Sequence, residues 1–336
     1  MYDDNLFPIV IACDDNYIQY ASVLISSIIK NRNKKYFYEI NILSETISEE
    51  NKNYIFKQAN NYENITIKFI SLDKLNTEEF YLNSYMTIST YYRFFIPIIF
   101  NNYDRILYLD CDIIVDSDIS YLMKVDLDEY LLAACRDEYI CNFLEKNKEN
   151  IDSLNSVFSF YYVKNILKVT NPLSYFNAGV LLFNLKEFRE KKLEYACFDL
   201  LKEIHRPYFQ DQDILNSLAS RYINSVDKIR KNQVSGVKLI SYKYNVNIPY
   251  YIGHNKLNRM IFIIKFILYR FKKEKLYYIY HYISKDKPWK VKRFDEIAFY
   301  YYLFNKNTPD EFKKSVLKEN NRAIIYYIVF KCLFLL

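Results

Sequence analysis

Two aspartates at spacing i, i+2, Asp110 and Asp112, close the apolar run Arg105-Ile-Leu-Tyr-Leu. Short apolar runs bounded by polar residues read as strands buried on both faces. Such a strand ends where its sheet ends, and open α/β folds bind ligands at that edge. In extended backbone, spacing two points both side chains the same way. Like-directed carboxylates repel, so a hard divalent cation carrying a phosphate is their natural partner. Taken alone, the pair reads more simply as a loop that caps the next segment. Five further clusters weigh against that simpler reading.

The first apolar run leads into Ala12-Cys-Asp14-Asp15-Asn16-Tyr17. No Gly-x-Gly-x-x-Gly or P-loop pattern is present, which disfavours dinucleotide and P-loop enzymes. A carboxylate in this turn can accept a hydrogen bond from a ribose hydroxyl or a base N–H. The alternative is that Asp14 or Asp15 simply caps the following helix, and one of the two is expected to do so. Arg93, in Ser89-Thr-Tyr-Tyr-Arg93, suits a nucleotide phosphate or a site aspartate, with a surface arginine as the alternative. Asn177, Ala178 and Gly179 open another strand. The chain has only three glycines, so one retained there points to close backbone approach or unusual φ. Gln210-Asp211-Gln212-Asp213 places two acids and two amides before a helix, and only part of that set is needed as an N-cap. Finally, His281 precedes Lys287-Pro288-Trp289 by six residues. A lone histidine at a strand end is usually structural; here it can serve as a third metal ligand, with Lys287 neutralising phosphate.

The elements that must position these groups alternate. Strands are expected at Pro8–Cys13, Tyr36–Leu43 and Ile65–Ile70, with helices at Tyr17–Arg32 and from Ser48. This β-α-β-α-β order implies parallel strands with right-handed crossovers. A helix over Thr90–Phe100 precedes the Asp-x-Asp strand. Strands at Leu131–Cys135 and Val180–Phe183 follow, then helices at Glu187–Ile204 and Asp213–Ser220, and a strand at Leu276–Tyr280. No linker interrupts this pattern, so one α/β domain is expected through about residue 250.

Composition sets the outer bounds. The 336 residues are 51% hydrophobic, enough for a large core, and the net charge of +6 falls short of a nucleic-acid footprint. The six cysteines form no Cys-x-x-Cys and read as reduced core thiols of a cytoplasmic protein. The acidic start is unlike a signal peptide, and no apolar run reaches the ~18 residues of a membrane span. Two tail segments, about 258–275 and Arg322–Leu336, combine dense apolar residues with Lys and Arg. Both suit an anionic membrane interface as well as ordinary packing, so peripheral attachment at the inner membrane face is expected.

Taken in order, these motifs resemble glycosyltransferase family 8, retaining enzymes that include lipopolysaccharide galactosyl- and glucosyltransferases and glycogenin. The resemblance runs from Ile9 to about Trp289. It implies a single Rossmann-like, nucleotide-sugar-binding domain of the GT-A type over residues 1–290, with a mixed, mainly parallel sheet and a helical C-terminal extension over 291–336. It implies that Asp110, Asp112 and His281 bind Mn²⁺, or Mg²⁺, with Cys111 between the aspartates. Ala12, Asp14, Asn16 and Tyr17 would contact the uridine end of a UDP-sugar. Arg93, Asn177 and Ala178 would line the sugar and phosphates, and Lys287 the diphosphate. Asp211 would bind sugar hydroxyls and Gln212 would lie near the anomeric carbon. Ser284 departs from the family's His-x-x-Gly-x-x-Lys-Pro pattern and puts a side chain where the diphosphate loop is usually bare.

The implied reaction moves galactose or glucose from a UDP-sugar to a cell-surface glycan or lipid-linked glycan such as lipopolysaccharide or capsule. Gln212 is a poor nucleophile, which favours front-side attack through an oxocarbenium-like ion pair over double displacement, with Asp211 as the fallback nucleophile. The alternative is a catalytically silent nucleotide-sugar-binding protein on the same fold.

Overall fold

A computed structural model of the chain describes residues 5–72, 88–128, 130–148, 158–222, 236–247, 275–283 and 287, with single positions at 257, 261, 264, 265, 268 and 272. The expected tail helix at Arg322–Leu336 and Ser284 lie outside the described residues.

The first half alternates as expected: β1 (Leu6–Ala12), α1 (Ile18–Asn31), β2 (Phe37–Ser44), α2 (Glu49–Ala59) and β3 (Ile65–Ser71). Ser48 caps α2 by accepting a hydrogen bond from the Asn51 N–H. A 3-10 helix over Ile88–Phe95 leads into the short α3 (Ile96–Ile99). One continuous α-helix was expected here. Pro97 has no N–H to offer the Arg93 carbonyl four residues back, so regular i→i−4 bonding cannot run through this segment.

The second half contains β4 (Arg105–Asp110), β5 (Ile113–Val115), β6 (Leu132–Arg136), α4 (Glu138–Lys146), β7 (Phe176–Asn184), α5 (Leu185–Glu190), α6 (Ala196–Ile204), α7 (Gln210–Arg221), β8 (Val237–Ile240), β9 (Val246–Asn247) and β10 (Ile279–His281). The helix expected over Glu187–Ile204 is two helices. Lys192 between them takes φ +56°, and the Leu193 N–H turns back to the Phe188 carbonyl.

Seven strands form one sheet in the order β3-β2-β1-β4-β7-β6-β8. The pairs β1–β2, β2–β3, β1–β4 and β6–β8 are parallel; β7 runs antiparallel to both β4 and β6. This is the mixed, mainly parallel α/β sheet expected. The chain winds outward from β1 to β3, then returns to place β4 on the other side of β1. The carboxyl ends of β1 and β4 therefore flank a topological switch point. Ala12 and Asp110 are register partners there. A second sheet, β5-β10-β9, packs on the α1 face of the first, with Val115 bonded to Ser27 and Asn31 of α1.

Strand parity divides the core. Phe7, Ile9, Ile11, Leu107 and Leu109 pack on one face with α1. Val10, Ala12, Ile106 and Tyr108 face the other side with α6 and α7. Asp110 continues the even-numbered face of β4, the face that carries Tyr108 and Arg93.

Candidate active site

Asp110 is the last residue of β4, and Tyr108, two residues earlier on the same face, donates its hydroxyl to Asp110 Oδ1 at 2.7 Å. Arg93 is buried beneath them. Its guanidinium lies 4.5 Å from the centre of the Tyr108 ring. Its Nη2 reaches Asp110 Oδ1 at 2.9 Å, and its Nη1 reaches Asp211 Oδ2 at 2.9 Å and donates to the Ala178 carbonyl at 2.7 Å. The sequence alternatives for Arg93 are thereby decided: it is a buried residue bridging two site aspartates.

The Asp110–Asp112 geometry differs from the sequence expectation. Extended backbone does not continue through the pair: Cys111 and Asp112 form a turn, and β5 starts at Ile113. The turn, rather than strand alternation, brings the carboxylates together. Asp110 looks toward Arg93 and Tyr108, whereas Asp112 looks toward Lys287 and His281. Both still converge on the imidazole, with His281 Nε2 3.1 Å from Asp112 Oδ1 and 3.5 Å from Asp110 Oδ2.

His281 ends β10, which pairs antiparallel with β5 in the register His281↔Ile113. The turn at Cys111 and Asp112 leads straight into β5, and the pairing of β5 with β10 places residue 281 beside residue 112. Lys287 forms an ion pair with Asp112 Oδ2 and donates to the Tyr282 carbonyl at 2.7 Å. Ligand atoms of Asp110, Asp112 and His281 all lie within 4.8 Å of one another. Asp112 Oδ1 is buried with no hydrogen-bond donor. Two carboxylates, one of them with an orphaned buried oxygen, and an imidazole fit a divalent cation.

Gly179 explains how the imidazole fits. A Cβ at this position would sit 2.1 Å from His281 Cε1, 2.7 Å from Nδ1 and 2.9 Å from Asp110 Oδ2. The close approach expected at this glycine is real, and the approaching group is the imidazole of His281.

The amides and acids at the start of α7 behave differently from a capping cluster. Phe209 is the N-cap residue and no side chain caps it in the usual way; Asp213 reaches back from inside the helix to accept the Phe209 N–H at 2.8 Å. Asp213 also accepts from the hydroxyls of Tyr162 and Tyr175, at 2.8 and 2.5 Å. Asp213 is thus structural, which leaves Asp211 and Gln212 for the site. Burial, only partly offset by Arg93, pushes the Asp211 carboxyl up to about 7; the nearby charge of Asp110 adds to the rise. Asp211 Oδ2 receives no aligned N–H despite its ion pair with Nη1 of Arg93. Gln212 Oε1 accepts from the Ala178 N–H at 3.0 Å and from Asn177 Nδ2 at 3.1 Å.

At the other side of the switch point, Asp15 binds the backbone and hydroxyl of Ser48 and the amide of Asn51. It therefore belongs to the α2 cap. Asp14 accepts the Tyr17 N–H at 2.8 Å and stays half-buried at the end of β1. Asn16 is exposed, and Tyr17 is half-buried within electrostatic range of Lys287, Cys111 and Asp112.

Two site-lining residues escaped sequence reasoning. Asp137 caps α4 by accepting the Ile140 N–H, and also accepts from Asn177 Nδ2 at 3.2 Å and Gln212 Nε2 at 3.4 Å. Burial raises its pKa above the usual carboxylate value. Its position just past the apolar run Leu131–Cys135, much as Asp110 closes the apolar run of β4, was the available signal. Asn245 joins His281 to Asn177, with His281 Nδ1 2.8 Å from Asn245 Oδ1 and Asn245 Nδ2 2.8 Å from Asn177 Oδ1. No local pattern marks it.

Known proteins carry the same arrangement of elements. Galactosyltransferase LgtC, solved in complex with donor and acceptor sugar analogs, superposes with a TM-score of 0.64 at 24% identity, covering 93% of this chain and 100% of LgtC. The bifunctional glycosyltransferase WbbM gives a TM-score of 0.69 at 24% identity; the chain covers about half of it, 52%. These likenesses establish the GT-A type of fold. In sequence, a putative glycosyltransferase of Haemophilus influenzae is 29% identical over 257 residues, 74% of this chain and 72% of that protein. A lipopolysaccharide 1,2-glucosyltransferase of Escherichia coli is 25% identical over 334 residues, 96% of this chain and 85% of that protein. The family model described as Glycosyl transferase family 8 matches residues 8–293, a span that holds the whole constellation from Ala12 to Lys287. With its motifs in order and its side chains converging at one sheet edge, the chain belongs to glycosyltransferase family 8.

Proposed function

We propose that this protein transfers a hexose, glucose or galactose, from a UDP-sugar to a cell-surface glycan or lipid-linked glycan, with retention of anomeric configuration. The observation that carries the reading is the convergence of Asp110, Asp112 and His281 on one side of Arg93, with Asp211 and Gln212 on the other. Asp110, Asp112 and His281 would hold Mn²⁺ or Mg²⁺, which offsets diphosphate charge and makes UDP a better leaving group. Ala12, Asp14, Asn16 and Tyr17 line the β1 exit for the uridine end, and Lys287 supplies a cation for the diphosphate. Arg93 holds Asp110 and Asp211 in fixed relation, so metal side and sugar side are built on one guanidinium. The unsatisfied Oδ2 of Asp211 is suited to accept a sugar hydroxyl.

The side-chain commitments favour front-side attack. Gln212 Oε1 is turned toward Ala178 and Asn177, and Asp211 is held by Arg93. The Gln212 oxygen is thus occupied, and the charge of Asp211 is shared with Arg93, which disfavours either group as a nucleophile. The acceptor hydroxyl then adds on the face that UDP leaves, and the departing phosphate oxygen takes its proton. Proton NMR of the first-formed product is expected to show the donor's anomeric configuration; an inverted linkage would exclude the mechanism. Release of UDP from UDP-glucose and UDP-galactose, measured with Mn²⁺ with and without acceptor, tests turnover itself. Tight donor binding with no release from either sugar would favour the silent binding protein.

We further propose that the protein docks on an anionic membrane surface. Leu257, Ile261, Ile264 and Leu268 are helical and exposed at 60%, 42%, 50% and 53%, a single stripe at spacings of four, three and four. Lys265 and Lys272 are exposed beside it. Apolar residues flanked by lysines suit the headgroup boundary of a bilayer. Among the described residues no helix is long and apolar enough to cross a membrane. The double substitution Ile261→Glu with Ile264→Glu is expected to release the protein from anionic liposomes at low salt while sparing UDP binding. Wild-type protein that ignores such liposomes would end this reading.

A further inference from the structure

A hydrogen-bond chain leads from backbone amides, whose direction is beyond doubt, to the imidazole of His281. The Gly179 N–H donates to Asn177 Oδ1 at 2.9 Å. A backbone N–H is always a donor, so the Asn177 atom facing it must be the carbonyl oxygen. Asn177 Nδ2 then donates to the carboxylate of Asp137, 3.2 Å away, which is consistent because an ionised carboxylate only accepts. The Asn245 atom 2.8 Å from that same Asn177 Oδ1 must in turn be the Nδ2 donor. This leaves Asn245 Oδ1, an acceptor, 2.8 Å from His281 Nδ1. Nδ1 must carry a proton, and Nε2 is the nitrogen turned toward Asp110 and Asp112.

We propose that Asn245 is a positioning residue that fixes the Nδ1–H form of His281, presents Nε2 to the metal, and couples the metal ligand to the donor-sugar residues Asn177 and Gln212. The proposal rests on the reading of Asp110, Asp112 and His281 as metal ligands. Metal-binding histidines are oriented in general by an acceptor on their second nitrogen, and loss of that acceptor weakens metal binding. Here the acceptor is unusually well placed. Asn245 and His281 are both buried, at 7% and 3% exposure. The backbone of Asn245 is held by its N–H to the Tyr242 carbonyl and runs directly into β9, which pairs with β10 in the register His281↔Asn247. Gly179 lies close against the Cε1–Nδ1 edge of the ring, where a Cβ would be 2.1 Å from Cε1 and 2.7 Å from Nδ1.

The same asparagine has a second consequence. Asn177 Nδ2 also donates to Gln212 Oε1, so a rotation of the Asn245 amide would be felt at the sugar end of the site. The two halves of Asn245 thus do separable work: Oδ1 serves the metal ligand and Nδ2 serves Asn177.

The test separates these halves. In metal-free wild type labelled with ¹⁵N-histidine, NMR is expected to show one imidazole with an exchange-protected proton on Nδ1. Asn245→Ala should abolish that protection and weaken Mn²⁺ binding in the presence of UDP by roughly 10–100-fold, read by electron paramagnetic resonance of free Mn²⁺. Asn245→Asp keeps an acceptor for Nδ1 but faces Asn177 Oδ1 with a second acceptor. It should retain both the protected proton and Mn²⁺ affinity at least equal to wild type, while UDP-sugar turnover falls. A wild-type His281 protonated on Nε2 alone, or Asn245→Ala with unchanged Mn²⁺ affinity, overturns the proposal. If Asn245→Ala does not fold, the wild-type spectrum and Asn245→Asp decide it. If wild type binds no Mn²⁺ with UDP, the metal reading fails, and the wild-type imidazole spectrum still decides whether Asn245 sets the proton's position.

Discussion

Asp112→Ala is expected to lower Mn²⁺-dependent UDP affinity by at least about 100-fold, equivalent to about 2.7 kcal/mol. Asp112 is the carboxylate most committed to a cation. Burial raises its pKa, but Lys287 and then His281 outweigh burial and hold it well below the usual carboxylate range. It therefore stays ionised under any ordinary assay condition. Its Oδ1 is the buried oxygen that lacks a donor, so removing it deletes both a charge and a ligand atom. The fold should survive. Asp112 sits in the turn between β4 and β5, outside the seven-stranded ladder, and its backbone carbonyl can still accept the Tyr282 N–H. Titration calorimetry with UDP, in Mn²⁺ and in chelator, measures the loss; circular dichroism melts check the fold. Wild-type affinity in Mn²⁺ would reduce the Asp-turn to a structural feature.

Gly179→Ala should have an effect of similar size by a different route. The added methyl would lie 2.1 Å from His281 Cε1, far inside van der Waals contact, and 2.9 Å from Asp110 Oδ2. The ring cannot retreat easily, because His281 is buried and its strand is paired on both sides with β5 and β9. It must swing off Asn245 and away from the carboxylates. We expect Mn²⁺-dependent UDP binding to fall by at least about tenfold, as for other losses of ligand orientation. Stability should drop by about 1–3 kcal/mol, the usual cost of overpacking. A double-mutant cycle isolates the cause. In a His281→Ala background, Gly179→Ala should cost little further stability, since its methyl then meets no ring. Equal costs in both backgrounds, or Gly179→Ala with normal metal-dependent binding, would show that glycine is not there to admit the imidazole.

Periodicity and spacing carried most of the fold. The alternation of apolar runs with helical patterns through Ile70 matches β1 to β3, because buried parallel strands and amphipathic helices leave distinct local signatures. The apolar run before Asp110 was legible as a buried strand for the same reason. Errors fell where a single local event overrode the pattern: Pro97 broke the expected helix before β4, and the turn at Lys191–Leu193 split the one after β7. The tail beyond residue 291 lies outside the described residues.

At the site, the types Asp-x-Asp, Arg93, Gln210–Asp213 and His281 were enough to point to metal and sugar-phosphate chemistry, because few structural tasks need so many charges at strand ends. The sequence by itself thus determined the element order of the first half, the family and the polar cast, but not the short elements β5, α4, β8 and β9. Only the tertiary structure decided who meets whom. It showed that a turn and not strand alternation brings Asp110 and Asp112 together, that Arg93 binds Asp110 and Asp211 from below, and that Asp15 and Asp213 are spent on structure. It also brought in Asp137 and Asn245, the latter 36 residues before the histidine it touches. Hydrogen bonds between side chains so far apart leave no periodic trace in a chain. They exist only once strand pairing has set the register, and here that register is the pairing of β10 with β5 and β9.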